Sequence, residues 1–250
     1  MTAEQLIEQV RQQLKAAGET AWQQYPLPTD FLCFKSAALA AQNALAVVAQ
    51  GRWLVMRDAA LGPMREAVLA AGRQLIVPTS GGREFLSIPY SGPSSPLGGR
   101  SVLRLSHLPP EAAPYRGGVD VVVVGCHAFE AGRQRVMALD SCRTEGRLED
   151  WRDGLPDGWR LGSVLVIALA ADAQQVSGWP EWAEGHPADV VITPTRVVAL
   201  RTGEQEWVDD LRTLSAQVEG GGSEEARNSS AQDLQHRTPV ARDVVRCAGS

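Results

Sequence analysis

Apolar residues recur at Leu6, Ile7, Val10 and Leu14, with charged and amide residues between them. A spacing of three and four gathers such positions on one side of a helix, so a first helix is predicted over residues 3–17. The proline-bearing connector QQYPLPTDFLCF breaks the pattern. A second helix is predicted from KSAALAAQNALAVVA, beginning near Lys35. Shorter apolar runs follow. RWLVMR reads as a strand, and LGPMREAVLAAG as a helix with Pro63 suited to its first turn and Gly72 to its end. RQLIVPT is a strand that Pro78 stops, EFLSIP is another short strand, and SGPSSPLGG is a loop by composition.

The strongest strand signal is VDVVVVG, residues 119–125. Four valines running into a glycine predict a buried central strand that delivers a loop to the carboxyl edge of an open sheet, where ligands bind in such folds. Further on, RLEDWRDGL reads as a short helix and GSVLVIALA as a buried strand. ADVVITPTRVVAL reads as a strand, a proline break and a second strand. Helical segments alternating with short apolar strands predict an α/β fold, an open and mainly parallel sheet flanked by helices. The pattern fades after Gly203. Residues 204–218 can form one more helix, whereas 219–250, rich in Gly, Ser and charge, lack the apolar residues that offset chain entropy. The predicted organisation is an α/β domain over 1–203, an extra helix over 204–218, and a disordered tail over 219–250.

Charge and composition narrow the function classes. The net charge is −5, and from Glu204 onward nine acids face five arginines, which leaves the body near neutral. No basic run is present, so nucleic acid is not an expected partner. No apolar run approaches the roughly 20 residues of a membrane helix. The first residues lack a signal-peptide pattern, so a cytoplasmic location is expected. Cys33, Cys126, Cys142 and Cys247 are widely spaced and form neither a CxxC nor a His/Cys ligand pattern, so no structural metal is expected. Only Lys15 and Lys35 are lysines, against 22 arginines.

Three stretches in order along the chain carry a resemblance: PMREAVLAAGRQLIVPT (63–79), VDVVVVG (119–125), and DAQQVSGWPEWAEGHPADVVITPTRVVAL (172–200). Together with YPLP and FKSAALAA (25–41), they resemble the 5-formyltetrahydrofolate cyclo-ligase family, in particular its methenyltetrahydrofolate-synthetase-domain-like branch. Asp172, Gln174 and Asp189 fall in that family's pattern. The resemblance implies a NagB/RpiA/CoA-transferase-like fold and a place in one-carbon folate metabolism. Enzymes of the family use ATP and magnesium to close 5-formyltetrahydrofolate to 5,10-methenyltetrahydrofolate. They cradle the phosphates with a glycine-rich GxGxGYxD loop after the central strand. Here, between Gly132 and Gly146, every residue carries a side chain, which removes the close backbone approach such a cradle uses. Asp140 matches the motif's aspartate only in a shifted register.

Two functional readings therefore stand side by side. One is an ATP-dependent cyclo-ligase-like protein. In it, Lys35, Arg133, Arg135 and Arg143 take over the nucleotide phosphates, since guanidinium pairs phosphate bidentately. Asp172 and Gln174, read as alternating at a strand end and sharing a face, lie near the substrate. The other is a non-catalytic descendant that binds a folate, a nucleotide or a protein partner. No catalytic residue is singled out. The plain alternatives are a solvated arginine loop for 133–143, a surface lysine at a helix start for Lys35, and loop capping for Asp172 and Gln174. Arg11 and Arg65 match arginine positions of the family, and the plain alternative for Arg65 is an exposed pair with Glu66 or a neighbouring carboxylate. His127 follows Cys126 with no third partner that would make a nucleophile of the thiol. Trp179 and Trp182 could stack on a pterin or pack a loop onto the body.

Overall fold

The computed structural model describes residues 3–20, 33–48, 51–56, 58–79, 84–89, 112–131, 135–137, 164–178 and 186–200. The expected tail, the extra helix, the 147–155 helix, Arg133, Asp140, Arg143, Trp179 and Trp182 lie outside the described residues. Two amphipathic or alanine-rich segments form α1 (Ala3–Ala16) and α2 (Ala37–Val47). A single 3-10 turn at Ala59–Leu61 leads into α3 (Gly62–Ala70), with Pro63 in its first turn. Gly72, at φ 68°, ends this segment. Its N–H donates to Leu69 O while the Arg73 N–H donates to Val68 O, and these bonds satisfy carbonyls that the helix end would leave open.

The strands are β1 (Trp53–Val55), β2 (Leu75–Pro78), β3 (Phe85–Ile88), β4 (Ala113–Tyr115), β5 (Val121–Gly125), β6 (Ala128–Phe129), β7 (Arg135–Met137), β8 (Leu165–Leu169), β9 (His186–Pro187), β10 (Val190–Ile192) and β11 (Val197–Ala199). Eight of them form one open sheet in the order β11-β10-β8-β5-β1-β2-β3-β4. The five strands from β10 to β2 run parallel, and β11, β3 and β4 are antiparallel additions at the two edges. The protein is thus an α/β fold with an open, mostly parallel sheet flanked by helices. Every residue of β5 is buried, which is why its valines run without polar alternation: a central parallel strand has core on both faces. α2 and α3 pack on one another and on the sheet, whereas α1 sits against a 3-10 turn at Asp172–Gln174.

Two aspartates tie the strands together at their amino ends. Asp120, just before β5, accepts from the Arg52 backbone N–H and grips the Arg52 guanidinium at 2.9 and 2.8 Å. Asp189, just before β10, accepts the Val166 N–H at 2.7 Å. Asp189 therefore belongs to the scaffold, on the edge opposite the one where open-sheet folds bind ligands.

Several expectations change. The run after β5, read as one loop, contains β6 and β7, which form a small separate sheet with β9 in the order β6-β7-β9. Val136 and Met137 are buried there, and their apolar side chains favour the hairpin. The 172–174 stretch, read as a strand end, is a 3-10 turn. At three residues per turn, positions two apart point to different sides, so Asp172 and Gln174 do not share a face. Among the described residues no helix is long and apolar enough to cross a membrane.

Candidate functional site

The sheet changes direction at β1. The chain passes from β1 through α3 to β2 on one side, and returns later to place β5, β8 and β10 on the other. In an open α/β sheet such a reversal opens a crevice above the carboxyl ends of the two strands beside it. Met56, Asp58, Cys126 and His127 follow β1 and β5 at that point. The ends of β8 and β10 extend the same edge with Ala170–Gln174 and Thr193–Arg196.

Asp172 organises the outer part of this edge. Its Oδ1 accepts from Thr193 Oγ1 at 2.7 Å, Thr195 Oγ1 at 2.8 Å and Arg196 Nε at 3.0 Å. Four side chains from two neighbouring strand ends thus meet at one oxygen. Thr193 also closes the β10–β11 turn: its N–H donates to Arg196 O, and its Oγ1 accepts the Arg196 N–H at 2.9 Å. From α2, Asn43 donates to the carbonyls of Thr193 and Pro194, at 3.0 and 2.9 Å. Among the described residues, no partner is found for Asp172 Oδ2 or for the two Nη groups of Arg196.

Gln174 plays a different part. It is fully buried. Its Oε1 accepts the Ala171 N–H at 2.7 Å, and its Nε2 donates to Cys126 O at 2.7 Å and His127 O at 3.3 Å. The amide joins the end of β8 to the end of β5 and presents no surface to a ligand. Arg65 departs from expectation in the same way. Rather than pairing on the surface, it is fully buried, and its Nη1 donates to Met56 O at 2.6 Å and Asp58 O at 3.0 Å. Backbone carbonyls leaving β1 need a donor here, and a guanidinium can serve two at once.

Cys126 is buried, and its thiol points to Leu169 O at 3.9 Å. Burial pushes the thiol up to about 12, so it stays protonated at neutral pH and is a poor nucleophile. His127 is enclosed as well. Lys35 is exposed two residues before α2, in a segment fixed by Glu19: its own N–H donates to Glu19 O, and Ser36 donates through backbone and hydroxyl to the Glu19 carboxylate. Arg135 is the first residue of β7, opposite Pro187. Among the described residues no three His, Cys, Asp or Glu side chains gather as a metal site.

Sequence reasoning selected Asp172 but passed over Asn43, Thr195 and Arg196. One signal for the turn was present: TPTR sets two hydroxyls and a guanidinium around a proline break. For Asn43 the signal is an amide beside the buried alanine stripe Ala37, Ala40, Ala41 and Ala44.

An open, mostly parallel sheet flanked by helices, with a polar carboxyl edge, defines an α/β protein. No protein-family model matches the chain, and no curated protein matches it. Among solved structures it is similar to the NMR structure of 5,10-methenyltetrahydrofolate synthetase from Aquifex aeolicus. The TM-score is 0.49 at 16% identity, over 82% of this chain and 96% of that one, a distant structural relationship.

Proposed function

We propose that this chain is a 5-formyltetrahydrofolate cyclo-ligase-like protein that receives a folate-type small molecule, together with a nucleotide, along the carboxyl edge of its sheet. One observation carries the reading. The DAQ and ITPTR segments of the resemblance converge on Oδ1 of Asp172, at the edge where such a ligand would lie. In this proposal the open oxygen of Asp172 faces the ligand. Gln174 acts as a positioning residue that holds the loop after β5 at the correct height. Lys35, Arg133, Arg135 and Arg143 are proposed to take the nucleotide phosphates, in a cytoplasmic protein.

Asp172 does not fit a magnesium ion. A guanidinium stands 3.0 Å from the Asp172 carboxylate, where it opposes a second cation. No step is therefore assigned to a metal. A second reading is favoured by how the polar groups are spent: Gln174, Asn43 and one oxygen of Asp172 all serve to hold turns. It is a non-catalytic module that binds the same ligand class without turning it over.

Calorimetric titration with Mg-ATP and with 5-formyltetrahydrofolate, each alone and then together, tests both readings. Micromolar binding of nucleotide that Lys35→Ala or Arg135→Ala weakens at least tenfold, with formation of the methenyl product, supports the ligase. Folate binding without product supports the module. No binding of either compound at millimolar concentration ends both.

A further inference from the structure

Arg196 is held at its base, and its tip is partly exposed. The backbone is fixed in the Thr193–Arg196 turn by bonds in both directions, and Asn43 clamps the preceding two carbonyls. Nε is committed to Asp172, while about a third of the side chain remains exposed, at 35%. Among the described residues its Nη groups have no partner. A guanidinium presented in this way has lost most of its rotamer freedom before a ligand arrives, which lowers the entropic cost of a contact. Its two outward N–H bonds match the oxygen pair of a carboxylate or phosphate.

We propose that Arg196 is an oxyanion-binding position, taking one carboxylate or phosphate group of a ligand that lies along the carboxyl edge. Its place in the sheet sets its role. β10 lies two strands beyond β5, so at strand spacings of about 4.8 Å Arg196 stands roughly 12 Å from the β1–β5 crevice. It therefore holds the far end of an elongated ligand and stays away from its reacting centre. Asp172 offsets the charge of Arg196, but that carboxylate is shared with two hydroxyl donors. The site selects through paired hydrogen bonds more than through net charge, and a simple anion binds it weakly. The inference needs only this geometry, so its failure leaves the folate reading standing.

The test uses the full chain labelled with 15N and follows the Arg196 Nε–Hε resonance during titration with inorganic pyrophosphate and, separately, with glutarate. Saturable movement with pyrophosphate supports a phosphate ligand, and with glutarate a carboxylate ligand. Sodium chloride at matched ionic strength is the control. Arg196→Gln should abolish the binding, read at the Thr195 amide. Arg196→Lys, which keeps the charge and loses the fork, should weaken it about tenfold. No movement with either probe through tens of millimolar, movement equalled by chloride, or undiminished binding by Arg196→Gln in a chain with a native amide spectrum overturns the proposal. The titration of the unaltered protein decides the question even if a variant fails to fold.

Discussion

Asn43 reaches from α2 to the turn after β10, where its Nδ2 donates to Thr193 O at 3.0 Å and to Pro194 O at 2.9 Å. One buried amide thus fixes the height of the segment that carries Thr195 and Arg196. Asn43→Ala removes both bonds and leaves two carbonyls without their donor. Buried groups left unmade in this way cost about 2–3 kcal/mol, so the urea midpoint should fall with little change in slope. Asn43→Asp should do worse, because it turns an acceptor toward two acceptors.

Gln174→Leu should lose about 2–4 kcal/mol, from three hydrogen bonds broken between the ends of β5 and β8. Gln174→Glu gives a sharper outcome. Its carboxylate would face Cys126 O and His127 O, whereas the protonated acid can still donate to one of them. The folded-state pKa of that acid is raised, so the destabilisation grows as pH rises above about 4.3, the ordinary value for glutamate. Chemical denaturation of the variant at pH 4 and at pH 7 checks it, and equal losses at both would refute this account of the site.

Asp120 holds both the backbone and the guanidinium of Arg52. Burial pushes its carboxyl up, but the side-chain bond to Arg52, the backbone bond and the arginine charge together bring it below the ordinary carboxylate value. A depressed folded-state pKa contributes stability above the unfolded value, near 3.9, and that stability is lost as pH falls through the folded value. Asp120→Asn should therefore flatten the acid limb of the stability profile below about pH 4. At neutral pH it should cost only about 1 kcal/mol, since the pair is partly exposed and screened.

Cys126 should resist alkylation in the folded chain at pH 8. Its thiol is buried and raised to about 12, so both access and thiolate are lacking. Peptide mapping after iodoacetamide treatment should find Cys126 unmodified in buffer and modified in guanidinium. Modification at comparable rates in both conditions would contradict the burial.

Arg65→Lys should be nearly as damaging as Arg65→Ala, each losing about 3 kcal/mol. Both carbonyls, Met56 O and Asp58 O, are met by Nη1 at the far end of the guanidinium, and the shorter lysine stem does not bring its ammonium to the place that nitrogen occupies. Thermal unfolding of the two variants side by side measures the difference. If Lys restored stability fully, the charge alone would matter.

The sequence by itself determined the fold class and most of the longer elements. Helical spacing over Leu6, Val10 and Leu14, the valines of 121–124 and the Pro63-to-Gly72 frame are local signals, and each reports a backbone preference that acts within a few residues. They were enough to predict an open, mainly parallel sheet with flanking helices. β4, β6, β7 and β9 were missed because none of them, unlike the equally short β1, β10 and β11, sits in a longer apolar run, and they exist through pairing with other strands. Tertiary structure alone decided which polar residues are available. Gln174 and Arg65 look like surface or ligand groups in the chain, yet both are spent on carbonyls of other strand ends. Asp172 and Arg196 lie 24 positions apart and become neighbours only because β8 and β10 pair in parallel. Hydrogen-bond partners across a sheet depend on strand order and register, and no local pattern of side chains encodes either.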